Sequence, residues 1–268
     1  LWYAVFHSIS AFCNAGFDLM GGGQSLSSFV GDAFVNIVIL SLIVLGGLGF
    51  IVLQDLRRRS RLQMQTRLVL CMSAGLIAGG TALFWLIERT NPATLAGRPF
   101  GEALLASLFQ SVTCRTAGFN TISQAGLRDA GKLLSAVLMF IGAAPAGTGG
   151  GIKVTTAAVL LLESAAFLRG RHDAEAFRCR IPRDAVRRAV GLTFCAVLLL
   201  CLTTTVISLL EPELAFIDIL YECASALGTA GLSCGVTAAA SGLSLGILGA
   251  LMYIGRVGLL SLLFLLNR

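Results

Sequence analysis

The sequence predicts an all-α, multi-pass membrane protein made of repeated units of span, short half-helix, glycine turn and span. Three observations predict it. Hydrophobic residues make up 56% of the 268 and charged residues 13%, with a mean hydropathy of +0.85, where a soluble domain is about a quarter charged. Five long segments are nearly free of charge. One short glycine turn is written three times.

The segments come first, because a bilayer core of ~30 Å needs about 20 apolar residues in a helix. Residues 33–54, 68–87, 133–152 and 189–210 carry no charge, and the third continues past Lys153 to Leu162. The last runs over 242–267, interrupted by Arg256 alone. Cations set the orientation. Arg57, Arg58, Arg59, Arg61 and Arg67 lie between the first two spans, and Arg169, Arg171, Arg178, Arg180, Arg183, Arg187 and Arg188 between the third and fourth. The segment near Glu211, Glu213 and Asp218 is acidic. The arginine loops are therefore expected to face the cytoplasm, and the glycine turns the outside. Such one-sidedness fits topology better than a nucleic-acid patch, so no nucleic-acid partner is expected.

The repeats read "FHSISAFCNAGFD" (6–18), "LFQSVTCRTAGFN" (108–120) and "YECASALGTAGLS" (221–233). Each is a short apolar stretch, then a small polar residue, Ala, Gly and a large apolar residue. As a helix, residues 100–114 reach about 22 Å at ~1.5 Å per residue, too short to cross. The chain enters the membrane and returns as an extended segment with bare carbonyls, tolerated only beside protein or water. Segments of this kind around one axis offer oxygens that replace a cation's hydration shell, and the half-helices aim their negative ends at it. The units then read as span, pore helix, filter loop and span around a central ion path. The filter is assigned to Asn14, Ala15 and Gly16, to Thr116, Ala117 and Gly118, and to Thr229, Ala230 and Gly231. Three ordinary helix C-caps are the plain alternative, which the threefold recurrence disfavours.

The stretch Lys132–Arg169 would run roughly 55 Å as one helix, well beyond the bilayer core. "GAAPAGTGGG" (142–151) is where it must break, since Pro lacks a donor and Gly lacks helix preference. Its glycines and Lys153 imitate a phosphate-binding loop. Ile152 and Val154, however, displace the required Gly-Lys-Ser/Thr order.

These turns, together with "LGGLGFIVLQDL" (45–56), "FIGAAPAGTGGGIKVTT" (140–156) and "MYIGRVGLL" (252–260), resemble the Trk/Ktr/HKT superfamily of potassium transporters, closest to the Ktr-type membrane subunit. The resemblance covers essentially the whole chain. It implies potassium uptake across the plasma membrane, with K+ as the transported ion, no covalently bound cofactor, and an intramembrane gate at 142–151. Gly147, Thr148, Gly149, Gly150, Gly151 and Lys153 belong to that gate, with Arg256 beneath the filter as a fixed cation that raises the barrier to potassium. It also implies a homodimer in the lipid bilayer, served by cytoplasmic nucleotide-binding subunits near the arginine loops. Some members of the superfamily depend on sodium, which makes a sodium-coupled carrier the alternative. A serine in place of a filter glycine lowers potassium preference there, and all three positions here are glycine. The family has four units, so this chain is expected to be a piece of a longer protein. Residues 1–56 would form the second unit without its first span, 57–168 the third with the broken helix, and 169–268 the arginine-rich loop and the fourth.

Arg115, beside Thr116, would repel potassium if it faced the path, so its side chain is expected behind the loop. A buried cation needs a partner. Glu222 is the expected one, bracing two filter walls, with Asp18 as the other candidate. The eight cysteines form no CxxC pair and sit mostly in apolar runs, where a thiol acts as a small hydrophobe. An enzyme needs a nucleophile with a positioned base. The two histidines, His7 and His172, suggest no such group, so a membrane thiol enzyme is the weakest reading.

Overall fold

A computed structural model describes residues 1–21, 23–58, 62–171, 173–177 and 179–258. Arg59, Arg61 and Arg178 of the predicted cation clusters, His172, and the last expected span beyond Gly258 lie outside the described residues.

Helix α1 (Trp2–Phe12) runs into the first glycine turn, and α2 (Ala33–Leu48) and α3 (Phe50–Arg57) follow it. After α4 (Met64–Glu88), α5 (Phe100–Thr113) leads into the second turn, and α6 (Asp129–Phe140) and α7 (Val154–Leu168) flank the proline–glycine stretch. A two-stranded hairpin, β1 (Glu175–Ala176) with β2 (Cys179–Arg180), precedes α8 (Arg183–Leu210). Then α9 (Phe216–Gly228) enters the third turn, and the short α10 (Val236–Ala239) and α11 (Gly242–Val257) complete the described residues. The hairpin and a single parallel bridge between Ile141 and Ile152 are the departures from an all-α chain among the described residues.

Helices α4 and α8 are long and apolar enough to cross a membrane, and the α2–α3 pair qualifies if counted as one bent span. Only 17% of the apolar window of α4 or of α8 is buried, and side chains such as Leu83, Leu86, Phe194, Leu198 and Leu202 are exposed. In a soluble fold such faces would be core; here they are the surface offered to lipid. Two of the half-helices show the reverse. Short and interrupted by Ser, Gln, Thr and Glu, α5 and α9 are buried elements, with Ile219 and every residue from Tyr221 to Gly228 of α9 enclosed, whereas α1 buries only His7, Ser10 and Ala11. Helix α5 packs on α4 and α2, while α9 packs on α6, α8 and α11.

The expected uninterrupted span 33–54 is corrected. Asp32 starts α2 as its N-cap, accepting from Val35 N–H at 3.1 Å, but the helix breaks at Gly49 and α3 leaves at 95°. The φ of Gly49 is +78°, and a Cβ there would stand 2.7 Å from Pro145 O. Hydropathy could not register this break. It serves a neighbouring segment that approaches α2 through residues without side chains.

A candidate ion path

The half-helices end in closely related ways. At α1, Asn14 N–H bonds Ala11 O at 3.1 Å and Ala15 N–H bonds Ser10 O at 2.9 Å. At α9, Thr229 and Ala230 repeat the pair with Ala226 O at 3.1 Å and Ser225 O at 2.8 Å. Both are Schellman closures, with a polar residue in the left-handed position that glycine usually fills. Asn14 has φ 50° and Thr229 φ 51°. After α5, Cys114 and Arg115 form a further turn, with Arg115 N–H on Val112 O at 3.0 Å, before Thr116 adopts φ 71°, and Ala117 N–H then reaches Thr113 O at 3.0 Å. Two residues after each of these, Gly16, Gly118 and Gly231 take φ of 71°, 88° and 79°. Left-handed non-glycine residues are costly and persist only where the surroundings enforce them. The same costly pattern therefore recurs at all three turns, so the helix caps and the unusual turns are one structure. Hydroxyls of the half-helices hold the returning strands: Ser10 Oγ donates to Phe17 O at 2.9 Å, and Thr113 Oγ1 donates to Phe119 O.

The turns meet. A Cβ at Gly16 would lie 2.6 Å from Ala117 O and 2.8 Å from Gly118 Cα. One at Gly118 would lie 2.8 Å from Ala230 O and 3.0 Å from Gly16 Cα, and one at Gly231 would lie 3.7 Å from Gly118 Cα. Main chain thus faces main chain across three distant parts of the sequence, with Gly118 in the middle.

Directly against the turns lies the segment between α6 and α7. It is pinned by reciprocal backbone bonds to the break in α2. The carbonyls of Gly46 and Gly47, left free at the helix end, accept from Thr148 N–H at 3.4 Å and Ala144 N–H at 3.0 Å, and Phe50 N–H donates to Ala146 O at 3.3 Å. Its own ends are joined by Gly142 N–H to Ile152 O at 2.8 Å and Ile152 N–H to Phe140 O at 3.2 Å. Three consecutive residues each meet a different turn. The Asn14 amide, oriented to donate to the Ala11 and Ile43 carbonyls, accepts from Thr148 Oγ1 at 3.1 Å. A Cβ at Gly149 would collide with Thr116 Oγ1, and one at Gly150 with Thr229 Oγ1. Gly150 N–H itself donates to Thr229 Oγ1 at 3.1 Å. Gly147 packs on Gly47 O, and Gly151 has φ +69°.

Two cations bind this segment. Lys153 Nζ donates to Gly149 O at 2.7 Å, and Arg256 Nη1 donates to Thr148 O at 2.5 Å. With its ammonium turned back onto its own loop, Lys153 has no phosphate-cradling geometry. The nine turn residues and the seven residues assigned around the Gly-rich segment therefore lie together.

Arg115 and Glu222 do not. Arg115 is buried behind the second turn, with Nη2 donating to Ser73 Oγ of α4 at 2.9 Å, beside Ile43, Val44, Gly47, Val112 and Ala143. Glu222 stays within its own unit, accepting from Ser233 Oγ and from Thr237 Oγ1 at 3.2 Å. Asp18 accepts from Met20 N–H at 3.0 Å. The expected brace is thus corrected, because the two side chains leave adjacent half-helices toward different neighbours. His7 bonds Tyr3 O and Leu19 N–H and is held by backbone. The residues missed by sequence reasoning are Gly46, Gly47 and Gly49, whose signal was three glycines inside one apolar span.

The sequence matches the TrkH family, described as cation transport proteins, over residues 1–68 and 52–267. It is 39% identical to the potassium/sodium uptake protein NtpJ of Enterococcus hirae, over 98% of this chain and 59% of that protein. It is also 39% identical to the Ktr system potassium uptake protein B of Vibrio alginolyticus, over 100% and 59%. The crystal structure of the potassium transporter TrkH from Vibrio parahaemolyticus superposes with a TM-score of 0.78 at 20% identity, over 99% of this chain and 58% of that one, a likeness of fold. The chain thus spans about three-fifths of the length of the relatives it matches. Its match to the family extends through all three glycine turns and the segment they press upon: the chain belongs to the TrkH family of cation transport proteins.

Proposed function

We propose that this chain contributes the ion-conducting part of a potassium uptake system in the bacterial plasma membrane. The three turns supply backbone carbonyls as walls of the selectivity filter, in units bounded at residues 1–56, 57–168 and 169–268. The observation that carries the reading is the main-chain contact between Gly16, Gly118 and Gly231, since a filter replaces hydration with oxygens of several chain segments around one axis. The negative ends of α1, α5 and α9 run toward these turns and favour a cation there. Relatives named as potassium uptake proteins, at 37–39% identity, support potassium as the cargo.

In this reading the segment 142–151 is the gate. It holds closely packed backbone against the filter, and Arg256 and Lys153 stabilise it while setting positive charge beside the path. Opening requires Thr148, Gly149 and Gly150 to leave Asn14, Thr116 and Thr229. A homodimer with cytoplasmic nucleotide-binding subunits on the arginine-rich face belongs to the same proposal and rests on the Trk/Ktr resemblance. Sodium dependence is the second reading, favoured by the printed name of the Enterococcus hirae relative, a potassium/sodium uptake protein.

Rubidium influx, measured in a bacterial strain lacking its own potassium uptake and carrying the complete gene, tests the proposal. Influx that potassium competes away is expected, and adding sodium distinguishes the two readings. A strain that makes the protein in its membrane yet accumulates no rubidium, with or without sodium, overturns the potassium assignment.

A further inference from the structure

Behind the second and third turns lies a hydrogen-bonded cluster that joins both half-helices to both returning strands. Gln110 of α5 and Gln124, six residues beyond Gly118, pair their amides head to head at 2.7 and 3.0 Å. The Gln124 nitrogen also donates to Ile122 O at 3.0 Å. A carbonyl can only accept, so this contact fixes which end of the amide is nitrogen. The Gln124 oxygen is then left to accept from the Tyr221 hydroxyl of α9 at 2.7 Å. Its backbone carbonyl accepts from Cys234 Sγ, past the third turn, at 3.5 Å. Gln124 thereby uses both amide protons and both lone pairs of its amide oxygen. Tyr221 is fully buried, and Gln110 and Gln124 are 1% and 4% exposed.

We infer that Gln124, Gln110 and Tyr221 are positioning residues that set the spacing of two adjacent filter walls and so determine which alkali cation passes. Arg115 and Glu222, expected to make this tie, are occupied elsewhere; a neutral network takes the place of an ion pair. Its physical advantage follows from its surroundings. A saturated buried network rigidifies its neighbours, and it adds no net charge next to a cation path. Tyr221 lies on the half-helix that leads into Thr229, and Gln124 on the strand leaving Gly118. Loss of their bond frees one wall to shift against the other without removing any carbonyl from the path. The inference rests on the reading of the turns as a filter.

The test is Tyr221→Phe, which deletes one hydroxyl and keeps the ring, in the complete protein in the uptake-deficient strain. The expected result is a potassium-over-sodium uptake ratio reduced about fivefold, the scale of one buried hydrogen bond, with uptake itself retained. Ser244→Ala, which removes a buried hydroxyl in α11 bonded to Glu211 and not to the cluster, should lower thermal stability and leave the ratio alone. If Tyr221→Phe fails to accumulate, Gln110→Met breaks the same network from the other side and should give the same loss of ratio. An unchanged ratio in whichever variant accumulates overturns the inference while leaving the filter reading intact. A wild type that transports no alkali cation overturns both.

Discussion

One methyl group at Gly118 separates two kinds of glycine in this chain. Gly97 has φ +81° and open space around the position of a Cβ, whereas a Cβ at Gly118 would press on Ala230 O and Gly16 Cα. Gly97→Ala carries only the backbone penalty, ~1–2 kcal/mol for a left-handed residue, and rubidium influx should persist. Gly118→Ala adds overpacking of ~1–3 kcal/mol, borne by the two neighbouring turns. Protein should still reach the membrane while influx is lost; equal influx in the two variants would show that the turns do not line the path. The recurrence of Ala-Gly made Gly118 legible in the sequence. Arg115 was legible only in part. Its burial behind the turn follows from charge alone, but its partner depends on the direction in which α5 presents it, and that direction is set by one extra residue between α5 and the turn.

Between elements, the segment 142–151 shows why a break can be read while its purpose cannot. Pro145 and the glycines announce the interruption of α6 and α7, but its backbone bonds go to Gly46, Gly47 and Phe50, about a hundred residues earlier in the chain, and no local pattern carries that pairing. Arg256 clasps Thr148 O from α11, and Arg256→Ala should raise rubidium influx severalfold at equal expression; unchanged or reduced influx removes Arg256 from the gate. Helix α11 is itself held at its other end. Its first residues have no side-chain cap of their own, and Glu211, just past α8, accepts from Ser241 N–H at 2.8 Å and Ser244 Oγ at 2.7 Å. An anion at a helix N-terminus is favourable, and these bonds, those from Ser241 first and then Ser244, hold the Glu211 carboxyl below its ordinary value. A carboxyl held low stabilises the fold above its unfolded value of ~4.3 and loses that contribution as pH falls through the folded value. Melting in detergent should therefore be lower for Glu211→Gln than for wild type at neutral pH. The gap should close as the buffer is acidified below the carboxylate range; a gap independent of pH would mean that the charge contributes nothing.

Across the whole molecule, the repeat of half-helix, turn and inner helix was the most legible feature because each copy carries its own signal. The burial of α5 and α9 was less so: their serines, and the glutamine and threonine of α5, look like surface, and become interior only because lipid takes the place that water has in a soluble fold. Orientation is the remaining property of the molecule as a whole, and cations alone determine it in the sequence. Of the described cations, Arg57, Arg58, Arg67, Arg169, Arg171, Arg180, Arg183, Arg187 and Arg188 gather at the ends of α3, α4, α7 and α8 and at the hairpin, while the fewer Arg89, Arg98, Arg128 and Lys132 sit at the other ends among Glu88, Glu102, Asp129, Glu211 and Asp218. Positive charge is retained on the cytoplasmic side, so the hairpin is expected inside the cell and the returning strands after the turns outside. Cys179 in the hairpin is an exposed free thiol, a natural reporter of side. A membrane-impermeant maleimide should label it in inside-out vesicles and not in intact cells, and Cys179→Ser should abolish that label. Cys71 and Cys201, exposed on α4 and α8, lie on spans facing lipid, where a charged reagent does not reach; Cys13, exposed where α1 meets its turn, remains in Cys179→Ser, so only the label lost in that variant reports on the hairpin. Labelling of Cys179 in intact cells would invert the molecule, turning the three glycine turns to the cytoplasm and the arginine-rich ends to the outside, an arrangement incompatible with the proposed cytoplasmic subunits on the arginine face.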